Sequence, residues 1–206
     1  MQEYLTEQEK FWAGEFGDEY LERNRSEALL ASNLALFSKV LSCTEGVGSI
    51  LEFGANIGMN LLALQRLLPD AELSAIEINR KAVDELQQIN RIKVYHRSIL
   101  DFLSDYQRDL VFTKTVLIHI NPENLSQVYE SLYASSKRYI CLVEYYNPRP
   151  VEILYRGHEG KLFKRDFAGE MLERFSDLRL VNYGFVYHRD SVFKQDDITW
   201  FLLEKN

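Results

Sequence analysis

The chain has little cysteine, little proline and no long apolar run, and each shortage narrows what it can be. Its two cysteines, Cys43 and Cys141, stand far apart, so neither a disulfide framework nor a metal site is expected. A reducing, cytoplasmic setting fits that usage. No stretch approaches the roughly 18 apolar residues of a membrane helix, so no membrane partner is expected. The opening MQEYLTEQEK has neither the basic nor the apolar region of a signal peptide. Positive charge is also short. Lys and Arg number 24 against 31 Asp and Glu, a net charge of −7, which argues against a nucleic-acid partner. Among the ten glycines neither G-x-G-x-x-G nor G-x-x-x-x-G-K-[ST] occurs, which disfavours a pyrophosphate ligand.

What is present is an alternation of helix and strand over 206 residues, a length suited to one domain. Thr6 to Asn24 reads as one helix opened by a Thr6–Glu9 capping box, and Ser26 caps a second through EALLASNLALFSKVL. Apolar runs at Ile50–Phe53, Leu73–Ile76, Lys93–His96, Leu110–Phe112, Tyr139–Val143, Leu178–Phe185 and Ile198–Leu203 read as seven strands. Helices at Asn60–Leu68, Arg80–Ile89, Pro122–Ser135 and Asp166–Phe175 fall between them, with Asn121 as cap and Pro122 at the first position of the third. The pattern predicts an α/β fold: a doubly wound, mostly parallel seven-stranded sheet preceded by N-terminal helices. The last two strands read as an antiparallel pair whose aromatics belong to the core. The division is a helical cap (1–45), a ligand-binding core (46–145), an insertion (146–165), and a last helix with its strands (166–206).

SILEFGANIGMN, Ser49 to Asn60, is the stretch that carries chemistry. Ligands of doubly wound sheets bind beyond the carboxyl ends of the strands, where strand order reverses. Glu52 ends the first strand, Gly54 allows a sharp turn, and Gly58 allows close packing or a close ligand. Nineteen residues beyond Gly58, Glu77 ends the second strand. A carboxylate there offers two acceptor oxygens side by side, which suits the two hydroxyls of a ribose. A helix-terminal acid favoured by the helix dipole is the plain alternative.

These residues resemble the class I S-adenosylmethionine-dependent methyltransferases, whose first motif is [ED]-x-G-x-G-x-G. Here it reads E-F-G-A-N-I-G, with Asn56 in place of the middle glycine. Asn tolerates left-handed backbone angles better than other non-glycine residues, so the turn survives. The resemblance implies S-adenosyl-L-methionine as cofactor, Glu77 and the adjacent Ile78 at the ribose, and Ser98 and Ile99 of HRSILDF at the adenine. It covers roughly Gly48 to Tyr145, including DLVFTKTVLIHINPENL. TEQEKFWAGEFGDEYLERN, VLIHINPE, VEYYNPRPVEILYRGHEGKLFKRDFAGEML and DDITWFLLEK extend it over almost the whole chain. In those segments the chain is similar to the methylase family associated with pseudaminic acid biosynthesis, found beside bacterial nonulosonic-acid and surface-polysaccharide genes. A small anionic sugar or nucleotide-sugar is the substrate this implies, methylated on oxygen or nitrogen. A non-catalytic cofactor-binding partner, or a methyltransferase for another acceptor, would keep the same motifs.

Several further residues suit methyl transfer. His119, after the fourth strand, is the best single base, with a wall residue as its alternative. Tyr145 and Tyr146 of EYYNP are next, and Asn147 suits either a polar substrate group or a plain turn. From Pro148 to Arg165 five basic residues (Arg149, Arg156, Lys161, Lys164, Arg165) face two acids (Glu152, Glu159), leaving about +3 in an acidic chain. Arg156 and His158, with Gly157 and Gly160, read as a lid over an anionic substrate or as a solvated loop. Asp166 reads as a helix cap. Trp12, Phe16 and Tyr20 form a stripe that is either core or cofactor cover, and by the resemblance Tyr20, Arg23 and Asn24 end near the first turn, with Arg23 available to the cofactor's carboxylate. Asp196 and Asp197 have no assigned role.

Overall fold

In the computed structural model, which describes residues 4–21, 23 and 25–206, helices and strands alternate as the pattern requires. The helices are α1 (Glu7–Ala13), α2 (Glu15–Leu21), α3 (Glu27–Leu41), α4 (Met59–Leu67), α5 (Arg80–Leu86), α6 (Leu125–Ser135) and α7 (Phe167–Arg174). The strands are β1 (Ser49–Phe53), β2 (Glu72–Glu77), β3 (Ile92–His96), β4 (Arg108–Lys114), β5 (Ser136–Glu144), β6 (Val151–Glu152), β7 (Phe163–Lys164), β8 (Leu178–Val186) and β9 (Ile198–Lys205). Seven of them form one sheet in the order β3-β2-β1-β4-β5-β9-β8, while β6 and β7 pair separately. The first five are parallel, and β9 runs antiparallel to both β5 and β8. Strand order therefore reverses beside β1, and the loops after β1, β2 and β4 open on one edge.

Both sheet faces are covered by apolar clusters. Ile50, Phe112, Cys141 and Leu202 pack with Phe37 of α3, Leu64 of α4 and Leu86 of α5 on one face. Leu51, Val111, Leu142 and Leu203 pack with Val128 of α6 and Met171 of α7 on the other. Each fully buried Leu, Ile or Phe contributes about 1.5–3 kcal/mol, so these clusters are what hold the strand ends in place. Among the described residues no helix is long and apolar enough to cross a membrane.

The caps stand where the sequence puts them: Thr6 and Glu9 cap reciprocally, Ser26 Oγ accepts from the Leu29 N–H, and Asp166 accepts from the Gly169 N–H. Three expectations need correction. The first helix is two, because Gly14 adopts extended angles (φ −100°, ψ −157°) between α1 and α2. Asn24, its expected end, lies outside the described residues. The segment from Pro122 to Asn124 is a 3₁₀ turn before α6 begins at Leu125. Aromatics of the outermost strand are not core, since Tyr183 is 64% and Phe185 59% exposed. Trp200, on β9, is buried.

Candidate active site

A cavity opens at the strand-order reversal, lined by the β1 turn, the ends of β2 and β4, the loop after β3, and α1–α2. The turn is made by three left-handed residues: Gly54 (φ 76°), Asn56 (φ 49°) and Gly58 (φ 84°). Asn56 thus does the backbone work of the missing glycine. A Cβ on Gly54 would lie 2.7 Å from Val116, and one on Gly58 2.7 Å from Leu86, so Gly58 serves close packing of the turn on α5.

Glu77 is buried at the end of β2, where its two oxygens accept from the backbone N–H groups of Asn56 and Asn79, each at 2.7 Å. Burial raises its carboxyl above the ordinary range, and the backbone donors work against that rise. With Ile78 also donating from the backbone, one acceptor site of the carboxyl remains for a ligand. Asn79 also docks the N-terminal helices, donating to the Trp12 carbonyl at 3.2 Å and to Asp18 at 2.8 Å. Ile78, Ser98 and Ile99 line the same end of the cavity, with Ser98 Oγ held by the Leu100 N–H. Tyr20 lines it from α2, and its ring lies 5.2 Å from that of Trp12.

Glu52 lies beneath this lining, wholly buried, accepting from Asn60 Nδ2 at 2.6 Å. Burial pushes its carboxyl up to about 8. Its Oε2, the Asn56 Oδ1 and the Trp12 indole N–H are buried polar atoms without hydrogen-bond partners among the described residues. Groups left so in a folded protein ask for a ligand or water, and Asn56 and Trp12 line the cavity. Glu144 accepts from Thr113 Oγ1 and from the N–H groups of Val116 and Leu117, which fixes the loop after β4.

That loop carries His119, which is buried and lines the cavity. Its Nδ1–H donates to the Lys161 carbonyl at 2.6 Å, leaving Nε2 as the acceptor nitrogen. Burial lowers its pKa to about 4, so the ring is neutral at physiological pH. The rings of Trp12 and Tyr155 lie 4.6 and 4.9 Å away.

The remaining candidates stand away from the cavity lining. Arg23 is exposed, 6.0 Å from the Phe16 ring. The Tyr145 hydroxyl donates to Asp196 at 2.7 Å, and burial and that carboxylate raise its pKa, so it is not poised to become a phenolate. Tyr146 is 42% exposed and packs on Phe201. Asn147 donates to the Arg149 carbonyl, as a turn residue does. His158 packs against Phe11 and Phe16, and Arg156 is exposed in a two-residue turn with Gly157, both at positive φ. The insertion is tied down at several points: Gln8 donates to the Gly160 carbonyl, Lys161 pairs with Glu7 at 3.8 Å, and Leu162 is buried. Two of its basic residues are matched internally, Lys161 in that pair and Arg165 with Glu170 at 2.5 Å.

Lys114 is the functional candidate the sequence reading passed over. It ends β4, lines the cavity, and is the one charged residue in the otherwise apolar or hydroxylic run LVFTKTVLI, which was the available signal. Asp196 and Asp197, left without roles, are the partners of Tyr145 and His188.

No protein-family profile matches the chain, and no curated protein matches it. Solved structures do. Magnesium protoporphyrin IX methyltransferase from Synechocystis PCC 6803, with bound SAH, is similar at TM-score 0.69 and 12% identity over 96% of this chain and 98% of that one. The 1,6-didemethyltoxoflavin-N1-methyltransferase of Burkholderia thailandensis, with its substrate and S-adenosylhomocysteine bound, is similar at TM-score 0.71 and 11% identity over 100% and 93%. The plantazolicin methyltransferase BpumL, in complex with SAH and a substrate analogue, gives 0.66 and 14% over 96% and 94%. This chain has the Rossmann-like methyltransferase fold.

Proposed function

We propose that this protein is an S-adenosyl-L-methionine-dependent methyltransferase acting on an oxygen or nitrogen of a small acceptor. The observation that carries the proposal is the pairing, at the strand-order reversal, of the left-handed Gly54–Asn56–Gly58 turn with Glu77, a buried carboxyl at the end of β2 that lines the same cavity. The neighbours that share the fold bind SAM or SAH, which supports the same cofactor here. The residues fit it: Glu77 and Ile78 would hold the ribose, Ser98 and Ile99 would flank the adenine, and Tyr20 and Trp12 would close the cavity from above. When bound, the cofactor supplies an activated methyl group on a sulfonium.

The chain's own task is then to align the acceptor and exclude bulk water from the methyl group, the acceptor's proton being released to solvent as the methyl is transferred. Trp12, Tyr155 and His119 form an aromatic wall that excludes water from one side. With Nδ1–H fixed on the Lys161 carbonyl, His119 Nε2 accepts a hydrogen bond from the acceptor's O–H or N–H. Its low basicity makes it an orienting acceptor that is never blocked by protonation near neutral pH.

The acceptor we infer is an anionic sugar or nucleotide-sugar, handled in the cytoplasm within nonulosonic-acid or surface-polysaccharide synthesis. The resemblance read from the sequence segments supports it, as do the exposed Arg149 and Arg156 of the insertion. The solved neighbours, by contrast, are named for magnesium protoporphyrin IX, plantazolicin and 1,6-didemethyltoxoflavin. Incubation with S-adenosylmethionine and a panel of CMP- and UDP-sugars, read by mass spectrometry, tests both levels. A methylated sugar supports the full reading. A protein that binds the cofactor yet methylates none of the panel loses the sugar, and one that does not bind it loses the whole proposal.

A further inference from the structure

Lys114 places an ammonium where a soluble protein seldom leaves one. It ends the central strand β4 and lines the cavity, and its ammonium has no hydrogen bond or ion pair among the described residues. The carboxylates that act on it, those of Glu52, Asp196 and Glu144, do so through space without a salt bridge. Burial lowers the lysine's pKa while the same burial raises that of Glu52 beneath it, so both groups are held toward their neutral forms until something of opposite charge arrives.

Position says what that something is. In the sheet order β3-β2-β1-β4, the loop after β3 carries Ser98, the end of β2 carries Glu77, the turn after β1 carries Gly54, and the end of β4 carries Lys114. A ligand with its base at β3 and its ribose at β2 continues over the β1 turn and ends at β4, two strand spacings or about 10 Å from Glu77. Lys114 pairs in register with Val143, which packs on the face covered by α3 and α4. The cavity is also lined by Leu29 of α3 and by Asn60 of α4, which is bonded to Glu52, one of the carboxylates acting on Lys114. His119, Trp12 and Tyr155 form a separate group around the Lys161 carbonyl. Arg23, the residue the sequence offered for a carboxylate, is exposed and outside the lining.

We propose that Lys114 is the counter-ion for the carboxylate of the cofactor's amino-acid head, fixing that head at the end of β4. This rests on the proposed cofactor and deepens it, and it assigns the anchor to a residue of the strand.

The test is a binding cycle by calorimetry, with S-adenosylhomocysteine and 5′-methylthioadenosine, which lacks the amino-acid head, against the wild type, Lys114→Met and Lys114→Gln. Losing a charge-assisted bond predicts S-adenosylhomocysteine binding weaker by roughly 10- to 100-fold in both variants. Binding of 5′-methylthioadenosine should stay within about twofold, which also reports that each variant is folded. Lys114→Arg should recover part of the loss. Unchanged S-adenosylhomocysteine affinity in Lys114→Gln overturns the assignment, as does an equal loss for both ligands. A raised acceptor KM with intact S-adenosylhomocysteine affinity also overturns it, because the lysine then serves the acceptor. A wild type that binds neither nucleoside removes the cofactor itself, so the two failures are told apart.

Discussion

The Glu77 end of the cavity and the insertion from Pro148 to Arg165 are both polar, but they hold their polar groups in opposite ways. Glu77 is buried at a central strand end and gripped by two backbone N–H groups. Arg149 and Arg156 are exposed, on a segment whose regular structure is a two-residue pairing of β6 with β7. A buried, pre-oriented carboxylate has little entropy left to lose when a ligand arrives, whereas an exposed guanidinium must be ordered and competes with salt and water. The cofactor end should therefore be sensitive to single atoms, and the acceptor side tolerant of them.

The largest effect is expected where the two regions meet, at His119, whose Nδ1–H is held by the insertion and whose ring faces the cavity. His119→Ala should lower turnover by around 10²-fold, the scale for losing a group that orients the reacting O–H or N–H, with S-adenosylhomocysteine affinity nearly intact. Because its pKa is about 4, the wild-type rate should show no His119 inflection between pH 6 and 9 and should fall only as pH descends through about 4. A variant with full turnover across that range makes His119 a wall. Glu77→Ala comes next: calorimetry should show cofactor affinity weaker by at least about 1.5 kcal/mol, or more than tenfold. A smaller loss would mean that Glu77 mainly holds the Asn56 and Asn79 amides.

The same contrast explains what was legible in the sequence. The turn and the acids at this end of the cavity could be placed from sequence because they are local and tied to strand ends: Glu52, Gly54, Asn56, Gly58 and Glu77 all follow from a strand, a turn and a helix. The strand and helix positions followed from periodicity for the same reason. Lys114 was missed because its role depends on where β4 lies relative to β2, and sheet order is not written in any single segment. The break at Gly14 went unread because a glycine in a helical pattern is usually tolerated, and here the docking of Asn79 on the Trp12 carbonyl accompanies the bend. The insertion was read by composition alone, and composition does not say that Arg165 is occupied by Glu170 or that Lys161 reaches Glu7.

Stability should also report the buried end, by a sign that differs from the usual carboxylate. The folded pKa of Glu52 is about 8 against an ordinary 4.5, so between those values the folded state keeps a proton that the unfolded chain has released. Stability from this group is full below pH 4.5 and falls as pH rises toward 8. Glu144, at about 7, adds to the same slope below pH 7, and His119 acts the other way only between about 6.5 and 4. From pH 7 to 8 the slope due to these three groups belongs to Glu52. Glu52→Gln mimics the protonated acid and can still accept from Asn60, so without ligand its melting temperature should fall less than the wild type's over that interval. At roughly 2–4 °C per kcal/mol for a chain of this size, the difference is measurable by calorimetry. Parallel curves would mean that Glu52 is already ionised at neutral pH.

The smallest effect belongs to Arg156. It sits in the turn between Tyr155 and His158 at φ 51°, and its guanidinium lies 5.7 Å from the ring of Tyr155, which in turn contacts His119. The residue is thus one ring away from the cavity while its charge faces solvent. Recognition of an acceptor carboxylate or phosphate from there resembles an exposed ion pair, worth about 0.2–1 kcal/mol. Arg156→Ala should raise the acceptor KM by up to about fivefold and leave cofactor affinity unchanged. Alanine and arginine bear the same left-handed strain, so the backbone is a fair control. Arg156→Lys should restore only part of the loss, since a lysine cannot pair in the bidentate way, and the wild-type advantage should shrink at high salt. An unchanged KM on the true acceptor would leave the charge of this insertion as surface, and the case for an anionic acceptor would then rest on the sequence likeness alone.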